Sequence, residues 1–212
     1  MKQSQFKTGM IYATVGSLWW GILGTIFFKY ISYMGAIEVT LHRLIWTSLI
    51  LFITTLIFKK INILNKIIKE RKNLIILFFS SVLIFLNWGT WIYAVSINKI
   101  IDASYGYFIF PILNVLFGSI FLKEKLNLKR KVSILTVVMS AIYLLFNLES
   151  FPLLGFLVAF FWSTYNLLRK IINVDTDVGL FIESLYILPL ALISCYIIFK
   201  TGNNDFSFKE NT

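Results

Sequence analysis

The sequence predicts an all-α fold, a polytopic bundle of transmembrane helices, and three observations predict it. Of the 212 residues, 58% are hydrophobic and the mean hydropathy is +0.80, which leaves too little polar surface to coat a soluble domain of this size. Seven apolar runs are of spanning or near-spanning length. The charges between those runs fall in alternate connections. One cysteine (Cys195) and one histidine (His42) provide no cluster for a disulfide scaffold, a zinc site or a haem, so no metal and no cofactor is expected. The net charge of +10 has a simpler use than acidic partners, namely orienting the chain in a lipid bilayer, and no nucleic-acid partner is expected.

The first run, Thr8 to Phe28, is uncharged and about 31 Å long as a helix, which matches a hydrocarbon core of about 30 Å. Its length, with no small-residue cleavage site after it, predicts a retained span rather than a cleavable signal. The second run, from about Ala36 to Phe58, opens with Glu38, His42 and Arg43. The third and fourth lie in Asn73 to Asn98 and Ala103 to Leu122, joined by the short "NKIID". The fifth (Val132 to Leu148) and sixth (Phe151 to Leu168) form a tight hairpin, and the seventh covers about Val178 to Phe199 with Glu183 inside it.

Fifteen of the 20 Lys and Arg lie in the N-terminus and in the connections after the second, fourth and sixth runs. The positive-inside rule therefore predicts a cytoplasmic N-terminus in a multi-pass protein of the cell inner membrane. In "KKINILNKIIKERKN" the apolar residues Ile61, Leu64 and Ile68 recur near helical spacing. The segment reads either as a short helix on the inner leaflet or as a plain basic loop.

Polar residues inside the spans are the candidate functional groups, because hydrocarbon penalises an unpartnered polar atom. Gly9, Ala13, Ser17, Gly21 and Thr25 place a small residue at every fourth position of the first span, a ridge for close helix packing within the chain or in a homodimer. Trp19 and Trp20 lie too deep for an interfacial belt, so at least one is expected to face a cavity. Asn87 and Trp91 share a face of the third span with Ser80, Ala94 and Asn98, and Trp88 stands beside it. Tyr107, Pro111 and Asn114 share a face of the fourth, where Pro111 cannot donate to the carbonyl of Tyr107. Glu183 reads as a proton-exchanging group or as a buried hydrogen-bonding one. Glu38, His42 and Arg43 read either as a satisfied interfacial cluster, with Glu38 paired to His42 or Arg43, or as an outer gate.

At these residues the chain resembles a known family, the RarD-type permeases of the EamA branch of the drug/metabolite transporter superfamily. The resemblance rests on "LWWGILGTIFFK", "AIEVTLHRLIWTSLI", "LNWGTWIYAVS", "ASYGYFIFPILNVLFGSIFLKEKL", "FWSTYNLLRK" and "DVGLFIESLYILPLAL", and covers Gly9 to about Leu192. It implies a ten-helix fold of two inverted five-helix repeats. Residues 1–148 would be the first repeat and 149–212 an incomplete second one. The family would continue for about three more helices, so truncation of a longer protein is the expectation, with helices supplied by a second chain as the alternative. The family includes metabolite exporters and factors named for chloramphenicol sensitivity.

The resulting expectation is a secondary permease, not an enzyme, moving a small-molecule substrate by alternating access. No phosphate-binding loop is present, which leaves an ion or proton gradient as the driver. The expected substrate cavity comprises Trp20, Asn87, Trp88, Trp91, Tyr107, Pro111, Asn114, Trp162 and Asn166, with Glu38, His42, Arg43 and Glu183 as coupling or gating groups. An intramembrane enzyme fits poorly, since there is no paired histidine and no GxSxG elbow. The remaining alternative is a non-transporting membrane protein that assembles through the first-span ridge.

Overall fold

The computed structural model describes residues 2–148, 150–202 and 205–206, with residues 2–6 described by their backbone alone. Every regular element among them is helical. The first run forms α1 (Lys2–Leu18), a π-helical turn (Trp19–Gly24) and α2 (Thr25–Tyr30), where the sequence predicts one regular span. The remainder is α3 (Ala36–Ile57), α4 (Ile61–Lys69), α5 (Arg71–Ser96), α6 (Ile100–Phe121), α7 (Leu128–Phe146), α8 (Leu153–Ile172) and α9 (Thr176–Lys200). Five helical stretches are long and apolar enough to cross a membrane: Lys7–Tyr30, α3, α5, α6 and α9. α7 and α8 form where the fifth and sixth spans are expected. α7 opens with Lys129, Arg130 and Lys131, and α8 closes with Arg169 and Lys170, so neither belongs to that apolar set.

Among the described residues, four that are not glycine take a left-handed backbone in loops, Lys59, Asn98, Lys123 and Asn173. Asparagine tolerates this conformation, whereas at Lys59 and Lys123 it is held against the side chain's preference so that the chain can turn sharply after a helix. α4 settles the choice left open by the basic link. It is a helix, and it buries Ile67 against Leu77, Val178 and Ile182.

α8 lies at the centre, packed between α5 and α6, and α3 pairs with α9. The α8 contact is made by a row of small residues, Gly155, Ala159 and Ser163, one at every fourth position. A Cβ at Gly155 would collide with the Asp102 carbonyl, and one at Gly106 would collide with the Gly155 carbonyl, so the α6 and α8 backbones touch directly. In lipid this close approach is a main source of helix association, because apolar tails compete equally for larger side chains. Asp102 Oδ1 accepts from Gly155 N at 2.9 Å, and Ser163 Oγ donates to the Phe110 carbonyl at 3.2 Å along the same seam. The first-span ridge behaves differently: a Cβ at Gly9 or Gly21 would meet no heavy atom within 4 Å. The chain's tightest small-residue seam is on α8.

Candidate functional site

The first span reaches the bundle through its π turn. That wider turn, with its i→i+5 pattern, resets the angular register of the side chains, and Trp20 lies against the bundle while Trp19 stays 67% exposed. Gly24 makes room for the indole, since a Cβ there would lie 3.1 Å from the Trp20 ring. Trp20 meets Trp91 with the rings tilted by 45° and their centroids 5.5 Å apart, and Trp91 also meets Phe28 edge-on at 5.2 Å. The Trp20 Nε1–H donates to Tyr107 Oη at 2.9 Å. One of the two mid-span tryptophans thus faces inward, as the sequence predicts.

These rings wall a cavity of about 860 Å³ between the first span, α3, α5, α6, α8 and α9. Of the predicted cavity residues, Trp20, Asn87, Trp88, Trp91, Tyr107, Trp162 and Asn166 line it. Asn87 is satisfied there by donating to the Val158 carbonyl at 2.9 Å. Asn114 lines instead a neighbouring cavity of about 200 Å³, with Ser163, Asn166 and Lys170. Pro111 stands inside α6 in neither lining, and the carbonyl beside it that finds a partner is that of Phe110, not Tyr107.

The predicted coupling groups separate. Glu38 and His42 stay together, with His42 Nε2 3.9 Å from the carboxylate, and Arg43 turns away. Helix geometry is the cause, since at about 100° per residue Arg43 lies roughly 140° around the helix from Glu38. The buried Glu38 carboxylate accepts from the backbone N–H groups of Asp205 (2.8 Å) and Phe206 (3.4 Å), and the Phe206 ring covers His42 at 4.2 Å. Neither Glu38 nor His42 lines the large cavity, and Arg43 does.

Glu183 is 1% exposed on α9. Ser80 Oγ donates to it at 2.5 Å and Tyr165 Oη at 3.1 Å, and Arg169 Nη1 lies 3.5 Å away. Three helices therefore meet on one carboxylate. Arg169 and Tyr165 also line the cavity, so Glu183 sits directly behind its wall. Sequence reasoning missed Arg169, which counts naturally as one more cation of an inner connection. Its signal was its position three and four residues after Asn166 and Tyr165, on the same helical face. Lys60 closes the same end of the bundle, 3.2 Å from Asp175 and 2.8 Å from Asp177. Hydrogen bonds to Asp177 and Asp175 hold the Lys60 ammonium above its ordinary range. Burial pulls the Asp175 carboxyl upward, but the Val178 N–H and the Lys60 ammonium outweigh it, and Asp175 titrates below its ordinary value.

Among the described residues no group of three or more metal-ligating side chains occurs. The arrangement offers stacking surfaces, amides and a guanidinium, which suits reversible binding of a small solute.

Comparison with known proteins places the chain in a family. Residues 7–146 match the model of the EamA-like transporter family. The chain is 31% identical over 203 residues to the uncharacterized transporter YojE of Bacillus subtilis, covering 94% of this chain and 67% of that protein. It is also 31% identical over 198 residues to protein RarD of Escherichia coli, covering 93% and 67% respectively. To the chloramphenicol-sensitive protein RarD of Pseudomonas aeruginosa it is 24% identical, over 84% of this chain and 60% of that one. The chain thus spans about two thirds of the length of these relatives. No solved structure matches it significantly. The matching family model is that of a transporter family, and YojE is named as a transporter. A multi-pass helical membrane protein, the chain belongs to the EamA-like transporter family of the drug/metabolite transporter superfamily.

Proposed function

We propose that this polypeptide forms the solute-binding part of a secondary permease that moves a small organic molecule by alternating access, driven by a proton or ion gradient. The observation that carries this reading is the cavity of about 860 Å³, walled by four indoles and reached by two arginines, inside helices that are otherwise apolar. In this account α7 and α8 also cross the membrane, giving seven spans. The N-terminus lies on the cytoplasmic face of the inner membrane, and residues 1–148 and 149–212 belong to two inverted repeats. The Glu183 cluster is the coupling site: proton uptake by Glu183 would release Arg169, which touches both the carboxylate and the cavity. Glu38 and His42 act at the opposite end, where Glu38 accepts from the amides of Asp205 and Phe206 and the Phe206 ring covers His42.

Flux of candidate aromatic solutes into everted vesicles under an imposed pH gradient tests this. Wild type and Trp19→Ala should transport, Trp91→Ala should not, and Glu183→Gln should lose its response to the gradient. Equal flux with and without the protein, across the solute panel, would overturn the proposal. An unchanged pH response in Glu183→Gln would remove Glu183 from it.

A further inference from the structure

We infer that the cavity selects organic anions with a flat apolar body, and that Arg43 is the group that holds their negative charge. This rests on the carrier reading above and adds the substrate class to it. The guanidinium is stacked on three rings: its central carbon lies 4.1 Å from the centroid of Trp88, 5.2 Å from that of Trp20 and 5.6 Å from that of Phe28. Such contacts compensate part of the lost hydration but accept no hydrogen bond through the N–H groups. Nη1 is itself buried, and no described side chain or carbonyl accepts from it. Arg43 is one of the residues that border the cavity.

The surrounding charges leave this cation without a protein counter-ion. Glu38, five residues earlier on the same helix, is taken by the amides of Asp205 and Phe206 and by His42. Glu183 is taken by Arg169, Ser80 and Tyr165. Among the described residues no aspartate or glutamate lines the cavity, whereas two arginines do. An arginine is always protonated, so the cavity carries an uncompensated positive charge ringed by indole faces. A carboxylate can take the planar fork of the guanidinium in two parallel hydrogen bonds, while its aromatic body stacks on Trp20 or Trp91.

Equilibrium dialysis of phenylacetate and of its neutral analogue phenylacetamide against the purified chain in detergent tests the inference. The wild type should prefer the carboxylate by about tenfold or more, the worth of a hydrogen bond to a charged group. Arg43→Gln, with its fold checked by circular dichroism, should bind the amide as before and lose that preference. The preference of the wild type stands as a test even if the variant fails to fold. Equal binding of both probes by the wild type would overturn the anion assignment while leaving the cavity in place. Binding of neither would overturn the cavity reading with it.

Discussion

At the end of the bundle where α3 finishes and α9 begins, helices are fastened by opposite charges. Lys60 reaches Asp175 and Asp177, Lys170 reaches Glu124, and Arg169 reaches Glu183. At the other end the fasteners are carboxylates and an amide that accept hydrogen bonds, with His42 Nε2 3.9 Å from Glu38 beside them. Glu38 takes the amides of Asp205 and Phe206, Asp102 takes the amide of Gly155, and Asn98 takes the Lys29 ammonium. The cavity lies between them. Ion pairs between helices respond to pH, salt and the protonation of one partner, whereas hydrogen bonds to backbone amides respond mainly to backbone movement. Under the proposed mechanism, the charged end would be the gate worked by a proton and the other end the hinge.

The largest effect is expected where backbones touch. Gly155→Val should destabilise the α6–α8 seam by about 3 kcal/mol or more, because the new side chain meets backbone that cannot yield. Gly9→Ala, with open space around it, should not lower the melting temperature; thermal unfolding in detergent compares the two. Next comes Glu183→Ala, which strands Arg169, whose side chain is only 11% exposed, at a cost of about 3–5 kcal/mol. Glu38→Ala, at the hydrogen-bonded end, should cost about 1 kcal/mol. Equal losses from Glu183→Ala and Glu38→Ala would erase the distinction between the two ends.

The smallest effect is the Lys60 clasp, and it has a definite pH window. Asp175 titrates lower in the folded protein than its ordinary 3.8, so its contribution is fully present above that value and is lost as pH falls through the folded value. Lys60 titrates above its ordinary 10.5, so its contribution is present below that value and is lost at higher pH. Lys60→Ala should therefore lower stability slightly near neutral pH and progressively less as pH falls below 3.8, with high salt shrinking the difference. A salt-independent loss would show that Lys60 acts by packing instead.

Much of this was legible in the sequence. Apolar length placed the helices to within a few residues, since the requirement to bury backbone hydrogen bonds in hydrocarbon leaves little choice. The indoles and Asn87 were legible as candidate cavity groups because hydrocarbon disfavours polar and amphipathic side chains at that depth, although Trp19 faces outward. Two things were not. A ridge of small residues marks a face that can pack, yet Gly9–Thr25 and Gly155–Ser163 carry the same signal and only tertiary structure shows which one does. The pairing of charges was likewise hidden. Glu38 and Arg43 are close in sequence but on different helical faces, while Glu183 and Arg169 meet only because α8 and α9 are brought together by a left-handed turn at Asn173.

The central claim is a water-filled, indole-walled cavity within an apolar bundle, and cysteine accessibility tests it most directly. In a Cys195→Ala background, Ser104→Cys on the cavity wall and Ile193→Cys on the outward face of α9 would be exposed in membranes to a charged, water-soluble methanethiosulfonate reagent. Modification of Ser104→Cys, slowed by bound solute, with Ile193→Cys inert, is the expected result. If Ser104→Cys is as inert as Ile193→Cys, the interior is dry and the account fails.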